Sequence, residues 1–565
     1  MCAHKPKVDI KERDKGYQLM EASLKFSDLI QKAMKANKIT GASVSIVDGN
    51  EQAFVKHYGF ADKNKNLLVD DSTLFKIGSI SKVFTASAVM QLAEQGKIDI
   101  DKPIKDYIPD FSVNSRFPES QPITIRSILC HHSGLPCDNL GGYFTENLEA
   151  FHSVVPYLQK ANVVYPSGQM FYYSNVGFEL LGVLVSRISG MPFHEYIETV
   201  LLKRIGMSNS SIALSEDRKN DLSKPYRLGK EQIEEMMKGI PEGGIHSTAS
   251  DMAIFMKSIL NSGKGLFVNN GTLEEMLYPQ HPDNAFDMSF INGLGWFIGK
   301  PGLNHAGKVI WHDGGTPNFF SLVVLIPERN LGITLLTNSS TGALMNHTLS
   351  VEILQLLLQE KHGITVPTDQ GRQLSNLSAD KTRSLAGRFL TLSGIAEVFV
   401  SGKHLIAKFA SGTFRLQPHS DGWFGVLYML FGVFPLNMKK LAMLRVGIPE
   451  INGEKVFALE QLSFRSPQGK QFRRLRSSEV WKQRAGDYVC IKEKNPRLTA
   501  FKLKSTNDGI ALSIATDKMG RLKMFLDVEN DSQAITVGYG RYAGETILAY
   551  NDCINLLGLE FKKAS

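Results

Sequence analysis

The stretch Gly78-Ser79-Ile80-Ser81-Lys82 opens a run of helical periodicity that continues to Gln95. Ser79 and Lys82 stand three residues apart, so on a helix they share one face about a turn from each other. A serine hydroxyl is a poor nucleophile until a neighbouring base takes its proton, and a desolvated lysine amine can do this or polarise the group that does. The helix start adds a field that favours developing negative charge. The spacing alone is weak. Ser378-Ala379-Asp380-Lys381 repeats it, and there the serine ahead of an acidic residue and a helical run reads as an ordinary N-cap with no partner motifs behind it.

Two further patches give Ser79 a context that Ser378 lacks. Tyr173-Ser174-Asn175 lies between helical segments, where a loop can lift a phenol and an amide into a cleft. A phenol of ordinary pKa near 10 acts as a base at neutral pH only beside positive charge, which Lys82 can supply. Asn175 can donate to a substrate carbonyl and accept from Lys82. His312-Asp313-Gly314-Gly315 ends a strand-like run, and its small residues let a substrate backbone approach. The amides of Gly315 and Ser79 are then candidates to hold the oxyanion of a tetrahedral intermediate, each donor worth about 3 kcal/mol. His312 is placed to bind the acyl-side group of a substrate or to tune the proton network.

Ser79-x-x-Lys82, Tyr173-x-Asn175 and His312-x-Gly314, in this order, resemble the serine β-lactamase family, in its branch of class C β-lactamases, D-aminopeptidases, D,D-carboxypeptidases and esterases. The similarity extends to Ile123-Thr124-Ile125-Arg126-Ser127-Ile128-Leu129, to His131-His132-Ser133-Gly134-Leu135-Pro136 and to Gly243-Gly244-Ile245-His246-Ser247-Thr248, and covers about residues 17 to 360. The resemblance implies that Ser79 is the nucleophile, that Lys82 and Tyr173 share the general-base work, that Asn175 positions the substrate amide, and that Gly315 with Ser79 forms the oxyanion hole. Histidine at 312 departs from the lysine usual in β-lactamases of this branch and looks more like the peptidases and esterases. Asp313 adds negative charge, which weighs against anionic β-lactams. The resemblance thus implies a serine hydrolase that works through an acyl-enzyme on a D-amino-acid peptide or amide or on a small ester, with weak β-lactamase activity allowed and no cofactor. The alternative is a penicillin-binding sensor or scaffold protein that acylates without efficient turnover. His131 and His132 read as structural loop residues.

The chain of 565 residues is long enough for several domains. The fold class expected is α+β: a β-lactamase/transpeptidase-like domain, with an antiparallel sheet flanked by helices and a helical region, followed by an all-β, barrel-like (lipocalin-like) region. Helical spacing from Tyr17 to about Asn37 leads into strand patterns at Ala42 to Val47 and Ala53 to Tyr58, and strand patterns return at Val309 to His312, Phe319 to Ile326 and Gly332 to Thr337. These share one sheet if the chain closes back on itself. A helical pattern from Ser350 to Lys361 ends the domain. The expected division is a polar tether at 1–16, the catalytic domain at 17–365, a linker at 366–382, and two β-barrel modules at 383–475 and 476–565. Two modules are read from the similar stretches Leu385-Ala386-Gly387-Arg388-Phe389 and Arg484-Ala485-Gly486-Asp487-Tyr488. The tail is expected to select substrates, so that deleting everything after about residue 375 alters substrate preference more than folding.

A formal charge of +8, from 64 basic and 56 acidic residues spread along the chain, does not imply nucleic-acid binding. Cys2, Cys130, Cys137, Cys490 and Cys553 are too scattered for a disulfide framework and lack paired zinc-ligand spacing, so no metal is expected. Cys2 before a Lys-rich stretch matches a lipidated N-terminus, and the apolar segment 423–440 with Lys439 and Lys440 could touch a lipid surface, although core strands are the plainer reading. The expectation is therefore a small-molecule or peptide substrate, membrane-surface association as an option, and a periplasmic or membrane-anchored location outside the cytoplasm, with a cytoplasmic one as the alternative.

Overall fold

Alternation of side chains along a strand decides the first layer. The computed structural model describes residues 25–49, 52–142, 145–233, 237–367, 373–409, 412–430, 434–436, 444–461, 464–491, 498–516 and 520–564. The tether at 1–16, Cys2, Lys439 and Lys440 lie outside these residues. A helix over residues 25–37 (α1) leads into β1 (Gly41–Asp48) and β2 (Gln52–Asp62). Some 250 residues later the chain returns with β3 (Ile310–Gly315), β4 (Phe320–Ile326) and β5 (Leu331–Thr337).

One antiparallel sheet of eight strands results, in the order Leu67–Leu68, β2, β1, β5, β4, β3, Phe297–Ile298, Ile291–Asn292. Ala42 pairs with Thr337 and Asp48 with Leu331, so the first and last strands of the domain are neighbours at its centre. Ala42, Val44, Ile46, Leu322, Val324, Ile326, Leu331, Ile333 and Leu335 face α1 and the C-terminal helix Gly342–His362. Val47, Val323, Leu325 and Leu336 face the helical region on the other side. Because both faces are covered, the strands read as nearly continuous apolar runs although the sheet is antiparallel. The C-terminal helix begins at Gly342, eight residues before the periodic pattern becomes legible at Ser350, because its first turns carry Asn346, His347 and Thr348. Asn346 is spent on the carbonyl of Phe320, an internal bond that polarity alone does not reveal.

The helical region is built around α2 (Ser81–Glu94) and α3 (Asn175–Ser189), which pack against each other and bury nearly every side chain of α2. Ser174 caps α3 by accepting from the Gly177 amide at 2.9 Å, and Gly190, at φ +73°, ends it. Among the described residues no single helix is long and apolar enough to cross a membrane.

Among the described residues the C-terminal region forms two barrels, the first a ten-stranded sheet in which eight strands close a ring and the second a closed ring of eight. In the first, strands from Gly387–Thr391 to Phe464–Gln471 form a continuous antiparallel run, and pairing of Phe424–Leu430 with Gly412–Pro418 joins its ends. In the second, Gly486–Cys490 pairs with Leu559–Lys563 to close the ring. Each barrel is preceded by a short helix with a serine N-cap, Ser378 before Ala379–Leu385 and Ser478 before Glu479–Gln483. Each first strand begins at the glycine of the repeated stretch, Gly387 or Gly486. The second copy of Ser-x-x-Lys is thus a helix cap, Ser378 Oγ accepting from the Lys381 amide.

The barrels are not a detachable tail. Cys137, Leu140, Val164 and Tyr172 of the N-terminal α+β domain share one apolar core with Trp481, Phe501, Leu526, Leu557 and other residues of the second barrel. The Leu140 amide donates to the Leu557 carbonyl at 2.8 Å. Deletion after residue 375 would uncover these side chains, each worth about 1.5–3 kcal/mol when fully buried, so such a deletion is expected to harm folding as well as substrate choice.

Candidate active site

Ser79 stands in a 3₁₀ turn, Gly78–Ile80, that runs directly into α2. The turn is pressed against β3 so closely that side chains are excluded. Gly78 has φ +51°, and a Cβ there would lie 2.8 Å from the Gly315 nitrogen. A Cβ on Gly314 would lie 1.9 Å from the Ile77 carbonyl oxygen, which accepts at 2.6 Å from Ser321 Oγ on the neighbouring strand. The small residues of the third motif therefore bring the Gly315 backbone beside Ser79.

Lys82, one turn along, is fully buried. Its Nζ donates to Ser79 Oγ at 3.2 Å and to the Glu242 carbonyl oxygen at 2.9 Å. Burial pulls the amine from an ordinary value of 10.5 down to about 7, against the attraction of the Glu242 carboxyl. An amine with such a pKa exchanges a proton with a hydroxyl at neutral pH, which a solvated lysine does not.

Tyr173 lies across the same cavity, its ring centroid 4.9 Å from Lys82 Nζ. Burial pushes the phenol above its ordinary value, and the hydrogen bond with Ser79 only partly offsets this, so the phenol is neutral. His131 is stacked on it, ring centroids 4.4 Å apart at 27°, and His131 Nδ1 accepts from the Ser174 amide at 3.1 Å. Burial drives His131 well below the usual imidazole range, so this ring is an uncharged support for Tyr173. Its positive φ of 61° marks the turn that aims it there.

A cleft of about 470 Å³ opens over these groups. Ser79, Tyr173, Asp313 and Gly315 line it together with Met170, Phe171, Phe286, Phe290 and Phe297. His312, Gly314 and Asn175 are not among its lining residues. Alternation along β3 turns Asp313 and Gly315 toward the cleft and buries His312 beneath it, where Nδ1 meets the Asp313 carbonyl oxygen at 2.6 Å. Burial holds His312 near 4, hence neutral. Burial raises the Asp313 carboxyl, but the hydrogen bond from His347 at 3.2 Å and the charges around it outweigh this and hold it at about 2. Asn175 does not meet Lys82: its Nδ2 donates to Asp138 Oδ1 at 2.6 Å, and its Oδ1 accepts no hydrogen bond among the described residues.

Both barrels reach the cleft. Ser466, Pro467 and Gln468, on one strand of the first barrel, and Gly540 and Arg541, in a loop of the second, complete its wall. Arg541 Nη2 donates to Asp138 Oδ2 at 2.6 Å, which links the second barrel through Asp138 to Asn175. Below Lys82, Glu179 and Glu242 are buried side by side. Among the described residues, Glu179 Oε2 and both carboxyl oxygens of Glu242 accept no hydrogen bond, and burial lifts Glu242 to about 7 and raises Glu179 well above the usual carboxylate range. Sequence reasoning missed Asp138, Glu179, Glu242 and Arg541, none of which stands in a recognisable chemical pattern, and only the fold reveals that a loop near the end of the chain faces Ser79. His131, read as a structural loop residue, proves to support Tyr173.

The chain is similar to the β-lactamase of Providencia stuartii, with 26% identity over 343 residues that cover 55% of this chain and 85% of that protein. It is also similar to Protein flp of Staphylococcus aureus (strain N315), with 24% identity over 319 residues, 55% of this chain and 62% of flp. Among solved structures, the octameric penicillin-binding protein homologue from Pyrococcus abyssi superposes with a TM-score of 0.53 at 21% identity, covering 88% of this chain and 99% of that one. A class C β-lactamase in complex with cefoxitin does so with a TM-score of 0.51 at 22% identity, covering 59% and 98%. At these identities the two structures speak to the fold alone. The β-lactamase family model matches residues 26–357, more than half of the sequence, and the chain belongs to the β-lactamase family.

Proposed function

We propose that this protein is a serine hydrolase that acts through an acyl-enzyme on Ser79, cleaving an amide or ester with an apolar acyl part. The observation that carries the reading is the 3.2 Å contact between Lys82 Nζ and Ser79 Oγ, with the amine held near 7 by burial. In this mechanism neutral Lys82 takes the Ser79 proton as Oγ attacks the carbonyl carbon. The amides of Ser79 and Gly315 hold the oxyanion with fixed dipoles that need not reorganise. The neutral Tyr173 phenol, beside Ser79, gives its proton to the leaving nitrogen or oxygen as the tetrahedral intermediate collapses and regains one from Lys82, which holds the proton taken from Ser79. Water then attacks the acyl-enzyme along the same proton path, and Ser79 is released.

Substrate class follows from the wall. Met170, Phe171, Phe286, Phe290 and Phe297 favour an apolar group, while Arg541 at the rim offers a cation to a carboxylate. This combination supports short peptides or amides with a D-residue, and small aryl or alkyl esters, as the compounds to try first. Ionised Asp313 at the cleft favours a neutral or cationic group beside the scissile bond, as in D-amino-acid amides and esters, over the carboxylate of a peptide that ends in D-Ala. The test is a panel of peptides ending in D-Ala, D-amino-acid amides and p-nitrophenyl esters, each compared with Ser79→Ala. Turnover of at least one class, abolished in the variant, supports the reading. Turnover unchanged by the substitution rejects it, and a lasting adduct without turnover favours the sensor alternative.

A further inference from the structure

Behind the Phe171 wall of the cleft, three metal-binding side chains meet. Cys130 and His132, two residues apart in the turn after helix Ile125–Leu129, face His281, which comes from a segment about 150 residues later. One ligand atom from each lies within 4.8 Å of the others. Cys130 and His132 are buried and His281 is exposed, so the cluster opens to solvent on one side. We infer that Cys130, His132 and His281 form a binding site for a divalent metal ion of borderline softness, zinc above all, with water in the fourth position.

The chemistry of the donor set selects the metal. One thiolate and two imidazoles suit Zn²⁺, at about 2.3 Å to sulfur and about 2.0–2.1 Å to nitrogen, whereas magnesium and calcium require oxygen. Tetrahedral bonds of those lengths set donor atoms roughly 3.3–3.8 Å apart, so closing the site needs only a small inward movement, which the exposed His281 side chain can supply. His132 already has the outer partner that zinc-binding histidines use. Its Nε2 is 2.7 Å from Asp287 Oδ2, which leaves Nδ1 for the metal in exchange for its present 2.8 Å contact with the Cys130 carbonyl oxygen. Asp287 is itself fixed, its Oδ1 accepting from the Phe171 amide at 2.6 Å. His281 holds a left-handed backbone, φ +49°, that keeps its ring stacked on His132 with centroids 4.2 Å apart at 24°. The turn thereby aims the imidazole inward, toward Cys130 and His132.

Metal binding would replace the Cys130 S–H and the His132 Nδ1–H by bonds to the metal and release both protons to solvent. It would tie the segment that carries Phe286, Asp287 and Phe290, which line the cleft, to the turn that carries His131 behind Tyr173. The ion is thus a brace for the cleft wall and lies outside the proton path of Ser79.

The test is titration of the full-length, chelator-treated protein with Zn²⁺ by calorimetry, and separately with Co²⁺ by absorption. The expected result is one tight site, with a dissociation constant at or below about 1 μM, and a near-ultraviolet sulfur-to-cobalt band. His281→Ala, a surface change that leaves the metal-free circular dichroism and melting temperature intact, should weaken Zn²⁺ at least tenfold. Cys130→Ser should remove the cobalt band, and Asp287→Asn should weaken binding about tenfold. Absence of a saturable site overturns the inference. So does a site whose affinity is unchanged in His281→Ala, or a cobalt band that survives Cys130→Ser, since these assign the metal to other groups.

Discussion

Arg541 closes an ion pair with Asp138, 403 positions earlier in the chain, at 2.6 Å. Asp138 is almost fully buried and holds the Asn175 amide on its other oxygen, so the second barrel helps to fix a residue of the second motif. Arg541→Ala leaves a buried carboxylate without its charge partner. Breaking a fully buried pair costs about 3–5 kcal/mol, and because Arg541 is partly exposed the expected loss is about 2 kcal/mol. Asp138→Asn combined with Arg541→Ala should cost less than the two single changes added together. Urea unfolding of the four proteins measures this, and strict additivity would mean that the pair does not act as a unit.

Lys82 sets the acid limb of the pH profile. Held at about 7 by burial, it must be neutral to accept the Ser79 proton, so kcat/KM should rise as pH increases through about 7. Lys82→Arg keeps a charge that cannot be lost, and kcat should fall by roughly 10² to 10⁴. Between about 7 and the ordinary 10.5 the unfolded chain binds the proton that the folded chain lacks, so this group makes stability rise with pH across that window. Lys82→Met should accordingly be inactive yet more stable at pH 7, by about 1 kcal/mol. Melting curves at several pH values check both signs.

Glu242 acts in the opposite direction. Burial raises it to about 7, so between the ordinary 4.5 and 7 the folded chain holds a proton that the unfolded chain has lost, and its contribution to stability falls as pH rises through this window. Glu242→Gln removes that loss and should be more stable than the parent above pH 7. It also removes an attraction that raises Lys82, so the acid limb of kcat/KM should move to lower pH. An unmoved limb would show that the two groups are not coupled.

Gly314 has no room for a methyl group beside the Ile77 carbonyl oxygen. Gly314→Ala should destabilise the fold by about 2–3 kcal/mol. By displacing the Gly315 amide it should also lower kcat by roughly 10² to 10³, with KM changed much less. A variant that folds less well but turns over normally would remove Gly315 from the oxyanion proposal.

The catalytic domain is legible in the sequence because its signals are local. Strand alternation, the helical run after Ser79 and the glycines at 314 and 315 each constrain a few consecutive residues, and each reads directly as an element. The repeated Ala-Gly stretches likewise point to two barrels, whose first strands begin at Gly387 and Gly486. The hidden part depends on contacts between distant segments. Asp138 and Arg541 are ordinary charged residues until the second barrel docks, and Glu179 is the one polar position in the apolar stretch Val176 to Val185 of its helix. His131 reads as a turn residue, which its backbone justifies, but its ring is the floor beneath Tyr173. The third motif points to His312 at the substrate because it names the strand, whereas strand alternation gives that surface to Asp313.

The central claim is that Ser79 carries the acyl group, and mass spectrometry of the intact protein after brief acid quench of an ester or amide reaction tests it most directly. The predicted result is a mass increase equal to the acyl part, mapped by proteolysis to the peptide that contains Ser79 and absent from Ser79→Ala. An adduct on a different residue, or steady turnover by Ser79→Ala, would contradict it.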